Sequence, residues 1–349
     1  MPRMGAPELT ASCTEILRAA GVDDDTAALV ARSLVAANLR GVDSHGVQLL
    51  PFYVDRIRAG DVDPRAQGRV AGESGACLVY DGGNGLGARI AEVCCGHGVR
   101  IAREHGMSMV VARESNHFGA AAWWAQKYAE AGLIGIVMCN ASPMVAPWQG
   151  REPRFGTNPI CMSVPGGDEP PWLLDMATTT VAAGKIYKAM INGQETIPPG
   201  WALDAEGAPT TRVADALQGL IAPLGGYKGS GLAFLVEILC AVLGGGAMST
   251  ELGGIRITGR PMRVSQMFLG IDVARFLPPG QFRSRMDWLI RSVKSTPPAP
   301  GFDEVLVAGE PELRVEQIRA RDGIPLEEGT WKALAETAAR LGVRTPLVE

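Results

Sequence analysis

Between about residue 70 and residue 180, short strand-like segments alternate with helix-like segments, and this alternation restricts the folds available to the chain. RVAGESGACLVYDGGNGLG predicts two short strands that meet at turns. Further apolar runs bounded by turn residues predict more strands: MSMVVARES, LIGIVMCNAS, PICMSVPG and PWLLDMAT. Segments with helical spacing, such as AAAWWAQKYAEAG, separate some of them. Strands that alternate with helices predict a layered α/β domain.

Both ends of the chain have a helical pattern instead. Residues 7–20 place apolar side chains on one stripe, and Asp23 or Asp24 can cap a second helix. A third helix is expected to start after Ser44 and to end at Gly60, and the last segments (DWLIRSVKS and TWKALAETAARLG) are helical again. The prediction is a small helical domain made of residues 1–72 with 285–349, packed around an α/β domain of residues 73–284.

Charge and composition exclude several classes of partner. A net charge of −4 and a pI near 5.7 argue against a nucleic-acid or anionic-membrane surface. The most apolar stretch, 229–246, is short and is interrupted by Glu237, so it predicts a buried helix and not a membrane span. The seven cysteines are odd in number and lack C-x-x-C spacing, and no secretory signal is visible at the N-terminus. The protein is therefore expected in the cytoplasm, with a small-molecule substrate.

Two glycine-rich loops precede helix-like segments. The first, 81–87, has G-x-G-x-G spacing and lacks the acidic residue that follows a Rossmann fingerprint, so a Rossmann dinucleotide fold is not supported. The second, 225–231, contains Lys228 and leads into the apolar helix. Helix N-terminal amides and a lysine make an anion site, although a plain turn with a solvated lysine explains the loop equally well.

Two of the four histidines lie in polar clusters. His97 and His105 are expected near helix ends at the surface, and no H-E-x-x-H or other metal-ligand spacing occurs, so a catalytic metal is not expected. His117 follows a predicted strand, where sites of α/β proteins usually form. His45 lies at the predicted helix start after Ser44, a suitable N-cap; a histidine there tends to stay neutral and suits acid–base work. Spacing alone does not decide between these histidines.

Ten segments together carry a family resemblance. They are ANLRGVDSHG (37–46), Tyr53, SNHFGAA (115–121), NASPMVAPW (140–148), GTNPI (156–160), LDMATT (174–179), GKI (184–186), GW-LD (200–204), GGYKG (225–229) and GFDEVLVAGEPE (301–312). In this order and over nearly the whole chain, they resemble the malate/L-lactate dehydrogenase family. That family also contains sulfolactate and ureidoglycolate dehydrogenases, diketogulonate reductases and piperideine-2-carboxylate reductases.

The resemblance implies a non-Rossmann, layered α/β domain that binds NAD or NADP, a second domain made of the helical chain ends, and a homodimer. It places His45, Ser44 and Tyr53 on the substrate side and His117 at a catalytic or nicotinamide-contacting position. The resemblance also implies a set of cofactor-binding residues: His117, Phe118, Gly119, Ser142, Asn158, Asp175, Met176, Ala177, Lys228, Gly309 and Glu310. Which of the two nicotinamide cofactors is used stays open.

The implied reaction transfers hydride between the nicotinamide and a small 2-oxo acid or 2-hydroxy acid. His45, polarised through Ser44, is assigned as the general acid/base, and His117 as an orienting group; these two roles can also be exchanged. Reduction of cyclic or N-alkyl 2-imino acids is the alternative within the family. A non-catalytic binding protein is the alternative outside it, and the titratable groups argue against that alternative.

Two positions depart from the family pattern. Many relatives have an arginine four residues after the histidine of S-H-G, where it can hold a substrate carboxylate, and this chain has Leu49 there. Either Leu49 is core packing and Arg56 or another arginine takes over, or the substrate differs. The second departure is the segment 263–267 (RVSQM), where relatives often have an Asn-Ile-Gly-His-like run. This segment could be a strand or a loop on the cofactor side.

Overall fold

The computed structural model describes residues 2–344; residue 1 and residues 345–349, which the predicted helical domain includes, lie outside the described residues. The helices are α1 (Ala6–Ala19), α2 (Asp24–Leu39), α3 (Leu50–Arg58), α4 (Gly87–His105), α5 (Ala121–Glu130), α6 (Ala183–Ile191), α7 (Val213–Gln218), α8 (Tyr227–Glu237), α9 (Pro279–Lys294), α10 (Glu310–Asp322) and α11 (Glu328–Arg340). The strands are β1 (Arg3–Met4), β2 (Arg69–Ser74), β3 (Cys77–Asp81), β4 (Met107–Ser115), β5 (Leu133–Cys139), β6 (Ile160–Val164), β7 (Trp172–Met176), β8 (Ala202–Leu203), β9 (Pro209–Thr210), β10 (Leu220–Ile221), β11 (Val264–Asp272) and β12 (Ile324–Pro325).

A seven-stranded mixed sheet with the order β2-β3-β4-β11-β5-β6-β7 organises the molecule. Only the β3–β4 pair is parallel among its strand pairs, and β11 runs antiparallel to both of its neighbours. The predicted layered α/β class is confirmed. The segment 263–267 falls mostly in β11, which lies in the centre of the sheet and not in a cofactor-side loop.

Helices α4 and α5 cover one face of this sheet. Their side chains Ile90, Ile101, Trp124 and Tyr128 are fully buried and belong to the same apolar cluster as Phe268 of β11. The opposite face of the sheet packs against α8 and the π-helical turn that follows it, through Val236 and Cys240. A smaller three-stranded sheet, β10-β8-β9, has its own apolar cluster with α6 and α7.

The two ends of the chain meet. Strand β1 pairs with β12, and Arg40 at the end of α2 forms an ion pair of 3.0 Å with Glu316 of α10. Helix α11 packs against α3, and Leu334 and Ala338 belong to the main apolar cluster. This arrangement agrees with a helical unit built from both termini, while the boundaries of such a domain stay a prediction.

The predicted third helix was too long at its N-terminal end. Two short 3-10 turns, Asp43–His45 and Val47–Leu49, precede α3 and are separated by the extended backbone of Gly46. Asn38 explains the break, because its Oδ1 accepts a hydrogen bond from the Val47 amide and a Cβ on residue 46 would lie 2.2 Å from that oxygen. His45 and residue 49 therefore do not share one helical face.

The apolar helix predicted in 229–246 is only half-buried. Phe234, Ile238 and Val242 are 56%, 43% and 54% exposed along one side of α8 and the π-helical turn. The prediction of a buried helix was wrong for the single chain, since these three side chains are about half exposed, although the Phe234 ring contacts Phe155. Over the part of the chain that is described, no helix has both the length and the apolar character of a membrane span.

Candidate active site at His45, Tyr53 and His117

The segment that carries His117 is held from two sides at the end of β4. The Asn116 amide nitrogen donates to the carbonyls of Asn84 and Gly85, in the loop 81–87. On the other side, Gln266 of β11 donates through Nε2 to the Asn116 carbonyl, at 3.0 Å. The glycine-rich loop therefore supports the segment that carries His117. Gln266, to which sequence analysis gave no role, holds this segment at the end of the sheet.

His117 is held in one tautomer by its neighbours. The Tyr53 hydroxyl lies 2.8 Å from Nδ1, and the Gly119 amide donates to the same nitrogen at 3.2 Å. A backbone amide can only donate, so Nδ1 is an acceptor and the proton of the neutral ring is on Nε2. Burial and the neighbouring His45 ring lower the pKa of His117 to about 3. His117 is thus a neutral ring that can donate from Nε2.

His45 stacks on His117, with 5.7 Å between the ring centroids and 24° between the ring planes. Its Nδ1 lies 3.0 Å from the Ser44 hydroxyl, and burial lowers the pKa of His45 from its usual value. The expected N-cap role of Ser44 is wrong, because its side chain makes no cap hydrogen bond and instead faces the His45 ring.

The neighbouring Asp43 anchors this turn to the C-terminal part of the chain. Both of its carboxylate oxygens accept from Arg319 of α10, and Asn38 donates to one of them. The bidentate geometry fixes the orientation of the turn. Sequence analysis missed Arg319, because nothing local relates it to a carboxylate 276 residues away.

Neither Leu49 nor Arg56 is available to a substrate. Leu49 is 4% exposed and belongs to the main apolar cluster, so it is core packing. Arg56 is 1% exposed and donates to the backbone carbonyls of Gly254, Ile257 and Arg260. The suggestion that Arg56 holds the substrate is therefore wrong, since its guanidinium is used to hold a loop.

Several predicted cofactor segments form a row along one edge of the sheet, because the register aligns the ends of β4, β5 and β7 with the starts of β11 and β6. The amide of Ala122, near the start of α5, donates to the Asp175 carboxylate at 3.0 Å, which joins the 117–119 segment to β7. Asp175 is in contact with solvent on one side, but the protein atoms around its carboxylate remove much of its hydration. This desolvation raises the pKa of Asp175 to about 6. Next along the row, Met176 pairs with Ile160 of β6.

The row continues to Ser142 in one direction and to Gly309 in the other. Ser142 donates to the carbonyl of Gly253 at 2.7 Å. Gly309 has φ +89°, and a Cβ there would lie 2.9 Å from Leu173 of β7, so only glycine allows this approach. A cavity of about 250 Å³ opens here between β7, α9 and α10. Of the predicted cofactor residues, this cavity is lined by Gly309 and Glu310, and a continuous dinucleotide-binding groove stays a prediction.

Four of the predicted cofactor residues have other partners or no clear one. Asn158 is fully buried and its amide donates to Ala233 and Glu237, while Phe118 is buried against Trp124. Glu310 pairs with Lys294 and Arg314. These geometries leave only the backbone of Asn158 and Phe118 for a ligand. Lys228 is exposed at the start of α8, and its proposed anion site stays a prediction.

Comparison with known proteins agrees with this arrangement. The malate/L-lactate dehydrogenase family model matches residues 4–335. A malate dehydrogenase of Pyrococcus horikoshii is 37% identical over 98% of this chain and 96% of its own length. The structure of sulfolactate dehydrogenase from Methanocaldococcus jannaschii superposes with a TM-score of 0.93 at 33% identity, covering 98% of both chains. Δ1-piperideine-2-carboxylate reductase of Pseudomonas syringae superposes with a TM-score of 0.85 at 28% identity, covering 97% of this chain and 100% of that one. The chain belongs to the malate/L-lactate dehydrogenase family, whose members are oxidoreductases that act on 2-hydroxy acids.

Proposed function

We propose that the protein transfers hydride between NAD(P) and a small 2-oxo acid or 2-hydroxy acid, with His45 as the general acid/base. The observation that carries this proposal is the cluster of His45, His117 and Tyr53, in which two stacked imidazoles lie beside the row of cofactor segments. When bound, the nicotinamide supplies the hydride. The protein must bind and orient the substrate and move one proton at its oxygen.

The hydrogen bonds divide the two histidines between these tasks. His117 accepts two hydrogen bonds at Nδ1. Protonation of Nδ1 is disfavoured, because the added proton would point at the Gly119 N–H. His117 therefore serves as a neutral donor, through Nε2, to the substrate oxygen. His45 has only the Ser44 hydroxyl at Nδ1, and that hydroxyl can donate or accept. His45 is consequently the ring that can gain and lose a proton during the reaction.

The direction of proton transfer follows from the lowered pKa of His45. In the free site His45 is mostly neutral at pH 7, which suits a base that takes the proton of a 2-hydroxy acid. A substrate carboxylate bound nearby favours the imidazolium, as required for reduction. Positioned acid–base catalysis of this kind accelerates reactions by ~10²–10⁴-fold.

Reduction of a cyclic 2-imino acid is the second candidate activity. The similarity to a piperideine-2-carboxylate reductase supports it. The same proton would then be delivered to nitrogen instead of oxygen.

The cofactor is NAD or NADP. The residues proposed to bind either dinucleotide are Asp175, Ala177, Ser142 and Gly309; their support is the family resemblance and the position of Asp175 and Ser142 near one edge of the sheet. We further propose a cytoplasmic homodimer. The exposed apolar side of α8 and the following π-helical turn is the surface that a second copy would cover.

The test follows the absorbance of NADH and NADPH with pyruvate, oxaloacetate, sulfopyruvate and cyclic imines. The wild-type protein should oxidise at least one cofactor with one of these substrates. His45→Gln should lower turnover by about 10²–10⁴-fold with cofactor affinity nearly unchanged. The control is His105→Gln, at an exposed position on α4. Undiminished turnover in His45→Gln would overturn the assignment, and no turnover by the wild type would favour a binding protein.

A further inference from the structure

A negatively charged 2-oxo or 2-imino acid needs a cation beside the histidines, and the arginines close to the site are mostly occupied. Arg319 pairs with Asp43, Arg40 with Glu316, and Arg263 makes a bidentate pair with Glu114. The guanidinium of Arg56 donates to backbone carbonyls of a loop, as described above. These four guanidinium groups already have partners, so an arginine without a carboxylate partner is the better candidate for binding the substrate.

The loop that Arg56 holds, residues 253–260, connects the cofactor side of the site with α3. At its start, the Gly253 carbonyl accepts from Ser142, and near its end the Gly259 amide donates to Asp61. Between these points, Arg56 donates to three of the loop carbonyls. Although the tip of the loop is exposed, its backbone is held at both ends and in the middle.

Arg256 lies at the tip of this loop. Its guanidinium carbon is 5.1 Å from the centre of the Phe52 ring, in the geometry of a cation–π contact. Phe52 immediately precedes Tyr53, about 100° away around α3, and Arg56 is one turn further on the same side. Phe52 and Arg56 thus face the loop, while Tyr53, on the neighbouring side of α3, presents its hydroxyl to His117.

Among residues 2–344, Arg256 forms no ion pair with a carboxylate, in contrast to Arg40, Arg263 and Arg319. Stacking on Phe52 fixes the plane of the guanidinium and leaves its N–H groups free to donate. A planar fork held in this way suits bidentate binding of a carboxylate.

We propose that Arg256 binds the substrate carboxylate, replacing the arginine that relatives have at the position of Leu49. The inference rests on the proposed function and assigns its specificity to a loop residue instead of a helix residue.

Steady-state kinetics of Arg256→Gln, Arg256→Lys and the control Arg58→Gln test the proposal. Arg58 is exposed on the same helix as Phe52. For the best 2-oxo acid or imino acid of the wild type, Arg256→Gln should raise KM by about 10–100-fold with little change in kcat, because a charge-assisted bidentate contact is lost. Arg256→Lys should recover part of this loss. The dissociation constant of NAD(P)H should be unchanged, and so should kcat/KM for the matching uncharged 2-oxo amide.

Three results would overturn the inference. They are KM values of Arg256→Gln equal to those of Arg58→Gln, an equal loss with the acid and the amide, and a KM effect explained by weaker NAD(P)H binding. Failure of the proposed function is distinguishable, because the wild type itself would then oxidise neither cofactor with any substrate, and the inference would fall with it. Thermal unfolding of each variant checks the fold, which the exposed position of Arg256 should leave intact.

Discussion

Replacement of Arg56 by methionine tests the distinction between a residue that holds the loop and a residue that binds substrate. The guanidinium is 1% exposed, satisfies the carbonyls of Gly254, Ile257 and Arg260, and lies 3.9 Å from the buried carboxylate of Asp61. Methionine fills a similar volume but offers no donor, so the three carbonyls and the Asp61 charge lose a partner together.

The expected loss of stability follows from these contacts. Removing one partner of a buried ion pair costs about 3–5 kcal/mol. The tip of the loop is exposed, so the freed carbonyls can recover water as partners, and we expect a value of about 3 kcal/mol. Arg58→Met, two residues further and exposed, should change stability by less than about 0.5 kcal/mol.

Urea unfolding of the two variants measures this difference directly. In the Arg56→Met background, Asp61→Asn should restore part of the stability, because it removes the isolated carboxylate but keeps an acceptor for the Gly259 amide. A loss below about 1 kcal/mol, combined with a raised KM for the acid substrate only, would refute the reasoning. Arg56 would then be a substrate-binding residue and not the support of the loop.

Two further predictions concern His117 and the apolar side of α8. Since the pKa of His117 is about 3 in the folded protein and near its usual value after unfolding, the unfolded chain binds more protons between about pH 6.5 and 3. The free energy of unfolding of the wild type should therefore fall as the pH drops through this range. Urea unfolding at pH 7 and pH 4.5 should show a smaller fall for His117→Gln. An equal fall in the two proteins would contradict the assignment of a neutral His117 ring. Val242→Glu places a charge on the exposed apolar side of α8 and should convert the proposed dimer to a monomer, as measured by light scattering. The control Val70→Glu, at another exposed position, should leave the dimer intact. A dimer that survives Val242→Glu would show that the two copies meet elsewhere.

The sequence was sufficient to identify the family and the layered α/β class, while the roles of the site segments stay a prediction. The reason is that the strand and helix patterns are local, and the polar segments retain their residue types in order along the chain. The residue at which α3 starts could not be predicted from the sequence. Gly46 interrupts the helical pattern because of Asn38, a residue on another helix whose side chain fills the space a Cβ would need.

What only the tertiary structure decided is which groups meet. The Tyr53 hydroxyl and His117 are 64 residues apart, and only the fold brings them to within 2.8 Å. Arg56 and its loop are separated by about 200 residues, and only the packed structure shows that this arginine is committed to carbonyls and that Arg256 is presented over Phe52. Local patterns specify elements and residue types, whereas partners across the chain depend on burial and on the need of every buried polar group for a hydrogen bond. The sequence alone therefore determined the family of this protein, and the fold decided which of its side chains meet.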